Sequence, residues 1–172
     1  TLGGTNSYTG DVTATGNSFT MLDGSSLDAA SVQVTTNEIA LGGTITLDNG
    51  GSFNGNTVTL GSQANISTAS GDLSFTAASG DFNLGNGAQL TANNGTLSFT
   101  ATAGNIYQGH NSELSGQNLN ISGNSVTLAG NNTFTGSGSI SATGTPSDTE
   151  PNNGLLYVDG DQHFAQGADF NG

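Results

Sequence analysis

Two consecutive stretches of this chain are near copies of one another: residues 71–94 (GDLSFTAASGDFNLGNGAQLTANN) and residues 95–118 (GTLSFTATAGNIYQGHNSELSGQN). At a shift of 24, Leu73 meets Leu97, Phe75 meets Phe99, Gly80 meets Gly104, Phe82 meets Ile106, Gly85 meets Gly109 and Leu90 meets Leu114. A repeat this short constrains the fold more than any other feature. One unit of about 20 residues cannot bury an apolar face alone and must stack on its neighbours.

Extending that register finds a template of apolar, any residue, apolar, five spacers, apolar. Its middle position falls at Leu2, Met21, Leu41, Leu60, Leu84, Gln108, Leu128 and Val158, at spacings of 19, 20, 19, 24, 24, 20 and 30. Two residues earlier stand Phe19, Ile39, Val58, Phe82, Ile106, Val126 and Leu156. Six residues later stand Tyr8, Leu27, Leu47, Ile66, Leu90, Leu114, Phe134 and Phe164, expected to form one unbroken inward column. A third station follows at Val12, Val32 with Val34, Phe53, Leu73 with Phe75, Leu97 with Phe99, Leu119 with Ile121, and Ile140.

Apolar residues at i and i+2 with polar residues between them read as strands with one buried face. Gly and Asn in the spacers accept the positive φ that corners demand. Three short strands and three corners in 19–24 residues make one coil of a parallel β-solenoid. The expected fold is therefore all-β, a parallel β-solenoid of about eight three-strand coils with one longer coil. Such a rod is about 38 Å long at ~4.8 Å per coil. The expected organisation is a single solenoid segment over residues 1–172, cut from a longer repeat protein, with a loop insertion at 143–154.

Composition is consistent with a thin prism. Gly, Thr, Asn and Ser supply 93 of the 172 residues, and apolar residues only 32%. Low hydrophobicity with high charge ordinarily signals disorder, but a solenoid needs only about six inward residues per turn, and its ladders satisfy the main chain. The chain has 13 acidic residues, no Lys, no Arg and no Cys. Phosphate neutralisation needs Lys or Arg, so nucleic-acid binding is excluded. Disulfides and thiol chemistry are absent. No apolar run is long enough to insert in a membrane as a helix. A chain without trypsin sites also suits an exposed extracellular location.

In repeat length, in alternating Val, Leu, Ile and Phe, and in Gly, Asn, Thr and Ser content, the sequence resembles the haemagglutinin-like exoproteins of two-partner secretion and the passenger domains of autotransporters. The resemblance covers the whole chain. It implies a right-handed β-helix serving as the stalk or fibre of a bacterial cell-surface adhesin or biofilm matrix protein. The partners it implies are surface glycans or proteins, and the main alternative is a filament subunit stacking end to end through open coil edges.

Several residues break the pattern. Both prolines, Pro146 and Pro151, lie in the insertion, where Pro keeps a loop out of the ladder. Asp148 and Glu150 there, with Asp159 and Asp161 just beyond, are hard oxygen ligands and weak calcium candidates; calcium is the one cofactor the sequence admits. A solvated loop is the competing reading, as solvated corners are for Asp11, Asp23, Asp28, Glu38 and Asp48. Gln108 occupies an inward position. Its amide must find a partner, either in neighbouring backbone or through a slip of register that turns Tyr107 inward. Beside it, Tyr107, His110, Asn111 and Glu113 form a weak carbohydrate-contact candidate, competing with plain surface decoration.

Three activities are disfavoured. A glycosidase needs two carboxylates about 5–9.5 Å apart, yet Asp72 and Asp81 align with Thr96 and Asn105 in the next copy. His110 and His163 sit at different offsets in their coils, so no His-based metal site is expected. Ice binding through a threonine array is disfavoured because the outward position of the first strand reads Thr20, Ala40, Thr59, Asn83, Tyr107, Thr127 and Tyr157.

Overall fold

The computed structural model describes residues 1–145 and 154–172. Among them are nineteen strands and no helix, from Thr5–Ser7 to Ala168–Asn171, and every strand pairing is parallel. The chain winds through three faces per turn. Face A stacks Met21, Leu41, Leu60, Leu84, Gln108, Leu128 and Val158, with Leu2 bridged to Met21 at the start. Face B stacks Asn6, Leu27, Ile45, Ile66, Leu90, Leu114, Asn132 and Gln162. Face C stacks Val12, Val32, Gly51, Leu73, Leu97, Leu119, Gly138 and Ala168, and beside them Ala14, Val34, Phe53, Phe75, Phe99, Ile121, Ile140 and Phe170. Each face thus has eight rungs and about seven complete turns, some 34 Å of axis at ~4.8 Å per step.

The expected columns of faces A and C hold residue for residue. The column of face B does not: Leu47, Phe134 and Phe164 belong two residues further along, in a second inward column with Ala29, Thr68, Ala92 and Gly116. Tyr8 follows Ser7 in that same position and is exposed in the first rung. The cause is a corner of two lengths. Between faces A and B, four rungs use a turn closed by a backbone bond, Ser25 N to Leu22 O, Ala64 N to Gly61 O, Ala88 N to Gly85 O and Ser112 N to Gly109 O. The other four, after Leu2, Leu41, Leu128 and Val158, cut the corner two residues shorter, each with glycine at the second position: Gly4, Gly43, Gly130 and Gly160.

The interior is continuous and sorted by size. Phe75 lies between Phe53 at 4.9 Å and Phe99 at 5.6 Å, nearly parallel to both, and Phe82 leans onto Phe99 at 4.8 Å. Offset stacks of this kind add about 0.5–1.5 kcal/mol per pair beyond area burial. Further along, Phe134 stacks on Phe164 at 5.4 Å, and there Gly138 is required, because a Cβ would strike the Phe164 ring. Among the described residues no buried side-chain nitrogen or oxygen lacks a partner.

Candidate functional site

Outward-facing chemistry follows from the same register. Tyr107 stands on face A between Asn83 and Thr127 and is 43% exposed. Gln108 is the inward residue, so no slip turns Tyr107 in. Its partner is another side chain rather than backbone: Gln108 Nε2 donates to Asn132 Oδ1 at 2.8 Å, and Asn132 Nδ2 donates back to Gln108 Oε1 at 3.0 Å. Asn132 also donates to Gln162 Oε1 at 2.6 Å, and Gln162 Nε2 donates to the Gly130 carbonyl at 3.0 Å. An amide ladder therefore threads one inward position per rung through the last three rungs, beside a hydrocarbon core that continues through Leu114, Leu119, Leu128, Phe134 and Ile140. Fixed-offset reading hid it by assigning Phe134 to the place that Asn132 holds.

His110 lies in the turn between Gly109 and Ser112, where Asn111 takes φ 57°, and its carbonyl accepts from Gly87 N at 3.1 Å. Glu113 opens the strand Glu113–Gly123 on face B, between Gln89 and Asn131. Tyr107 and Glu113 thus occupy different faces with the His110 corner between them. Glu113 instead joins Gln89, Thr91, Ser115, Asn131 and Thr133 around a trough of about 260 Å³ on face B.

Asp148 and Glu150 lie outside the described residues. Asp159 Oδ1 accepts from the Gly160 N–H of its own turn at 2.9 Å, and Asp161 N donates to Asn131 Oδ1 at 3.2 Å. Among the described residues no three His, Asp or Glu side chains cluster closely enough to hold a metal. The insertion leaves and returns at one point, since Gly144 N and Gly154 N both donate to the Asn124 carbonyl, at 3.0 and 2.8 Å.

Several acids act as clamps between coils. Asp72 Oδ1 accepts Thr96 N and Asp81 Oδ1 accepts Asn105 N, both at 2.8 Å and both exactly one repeat of 24 residues on. Asp11 Oδ1 accepts the Ser31 hydroxyl at 2.7 Å. Asp28 and Glu38, expected at corners, sit on strands facing outward. Of the carboxylates borne on strands, none faces another one rung away: Asp28 lies between Ser7 and Thr46, Glu38 between Ser18 and Thr57, and Asp169 beside Ser139.

Face C differs from the rest of the surface. Its first outward column reads Thr13, Gln33, Ser52, Ser74, Ser98, Asn120 and Ser139 before reaching Asp169. Its second reads Thr15, Thr35, Asn54, Thr76, Thr100, Ser122 and Ser141 before Asn171. Over seven rungs this face carries neither charge nor aromatic ring. No family model, no curated protein and no solved structure matches the chain.

Proposed function

We propose that this solenoid is a load-bearing spacer, a stalk or fibre segment of an extracellular bacterial adhesin or biofilm matrix protein of the haemagglutinin-like kind. The observation that carries this reading is the unbroken register of eight rungs on all three faces, with one continuous core. Each coil is tied to the next by parallel hydrogen bonds on three faces, with carboxylate clamps added at Asp11, Asp72 and Asp81, so the unit resists bending. The formal charge of −13 keeps neighbouring rods apart and soluble. In this role the chemistry is mechanical. No side chain is assigned a catalytic part, and Asp11, Asp72 and Asp81 serve as hydrogen-bond acceptors between coils.

Pulling single molecules from their two ends tests the role. A stalk holds its folded length under load and then ruptures in steps, each releasing roughly 60–85 Å of contour for one coil of 19–24 residues. Smooth lengthening at low force would contradict a load-bearing role. Rods longer than about 34 Å in the unloaded sample would point instead to a filament of stacked copies.

A further inference from the structure

We propose that face C is a lateral binding surface for an extended, uncharged polysaccharide lying along the rod axis. This goes beyond the spacer role and does not depend on it. The first argument is charge. A chain with 13 acids and no Lys or Arg leaves seven rungs of face C wholly neutral, while Asp11 and Asp72 stand at the margin where face B turns into it. An anionic polymer would find no counter-charge and would meet carboxylates at the edge. A neutral polyol meets neither obstacle.

The second argument is hydrogen-bonding capacity. Among the side chains of those rungs one internal bond forms, from Asn54 Nδ2 to Ser52 Oγ at 3.0 Å. The remaining hydroxyls and amides keep both donors and acceptors for a ligand, which is the pairing that sugar hydroxyls need. The third is shape. One trough of about 360 Å³ touches Thr35, Asn54 and Thr76, and another of about 290 Å³ touches Thr100, Ser122 and Ser141. These six residues are consecutive members of a single column spanning six rungs, about 24 Å at ~4.8 Å per step, with the first trough on its corner side beside Asn37 and Asn56 and the second on its other side beside Asn120 and Ser139. Shallow hollows spread over that length suit a linear polymer lying across several rungs better than a compact ligand. Without an aromatic platform each contact is weak, and affinity accumulates with the number of rungs engaged.

Affinity electrophoresis of the purified chain in gels containing soluble β-glucan, mannan, dextran or galactan, with alginate as the anionic control, tests the proposal. We expect retardation by at least one neutral polymer, none by alginate, and a marked fall in affinity when that polymer is shortened to di- and trisaccharides. The double variant Thr35→Asp, Thr76→Asp places two charges in the first trough and is expected to weaken binding at least tenfold. The variant Ser67→Asp, Thr133→Asp adds the same charge to face B and is expected to bind as the parent does, with circular dichroism checking that both pairs fold. The proposal is overturned by equal loss in both variants, by retention in the face C variant, by binding to alginate, or by no retardation in any neutral polymer. Arrest of ice-crystal growth without polysaccharide binding would assign the face to a water lattice and overturn it equally. Because the readout is binding, failure here leaves the pulling experiment untouched.

Discussion

The middle coils and the last three rungs share one backbone and have different interiors. From the third to the fifth rung the core is hydrocarbon apart from the Thr68 hydroxyl, which donates to the Ser70 carbonyl: Phe53, Phe75 and Phe99 stack on face C, while Ile45, Ile66 and Leu90 fill face B, all buried. From the sixth rung on, the amides of Gln108, Asn132 and Gln162 form a bonded line inside a core otherwise made by Leu114, Leu119, Ile121, Phe134 and Ile140, with Asn132 only 1% exposed. Parallel ladders are therefore indifferent to what fills the prism, provided its volume is filled and its polar atoms are paired. The two fillings differ in how they fail. Hydrocarbon loses stability in proportion to what is removed, whereas an amide ladder loses it when one member leaves the others without partners.

That contrast orders the expected effects. Leu90→Asp places a charge in the hydrocarbon section with no Lys or Arg in the chain to meet it; the middle coils should lose cooperative thermal unfolding, and an unchanged melting curve would refute the register. Phe75→Ala removes the central ring of the stack and should cost about 3–5 kcal/mol in urea unfolding. Asn132→Ala should cost ~1–3 kcal/mol for each amide it orphans, while replacing Gln108, Asn132 and Gln162 together by Leu should be near neutral or stabilising. If single and triple replacements cost the same, the two sections do not differ as described. Gly95→Ala drives a Cβ into the Gly71 carbonyl of the preceding coil and should cost about 1–3 kcal/mol. Thr59→Val, outward on face A, should change stability by no more than ~0.5 kcal/mol.

How far the sequence revealed this molecule is seen in its three columns. Face A was legible because it defines the repeat, and face C because its apolar residues at i and i+2 stand out although their distance from the face A column varies from 10 to 13 residues; the 24-residue copies fix the register of both. Face B was misread in four coils because its corner has two lengths. The error stayed hidden because a slip of two residues leaves a side chain on the same face, so Leu47, Phe134 and Phe164 still looked correctly placed. A signal was present: glycine two residues after the face A column residue marks every short corner, at Gly4, Gly43, Gly130 and Gly160. Reading it would have put Asn132 inward beside Gln108 and exposed the amide ladder. The uncharged character of face C needed only the correct register, whereas the troughs along it depend on side-chain packing that no pattern supplies.

The claim underlying everything above is that one coil advances the rod by one rung. Because the chain has no cysteine, Thr35→Cys and Ser141→Cys give a unique pair of spin labels in one outward column, five rungs apart by register. Pulsed electron–electron resonance should give a narrow distance near 24 Å, falling by about 4.8 Å when the coil formed by residues 71–94 is deleted. A broad distribution, or a distance that the deletion leaves unchanged, would contradict the solenoid register and the functional readings built on it.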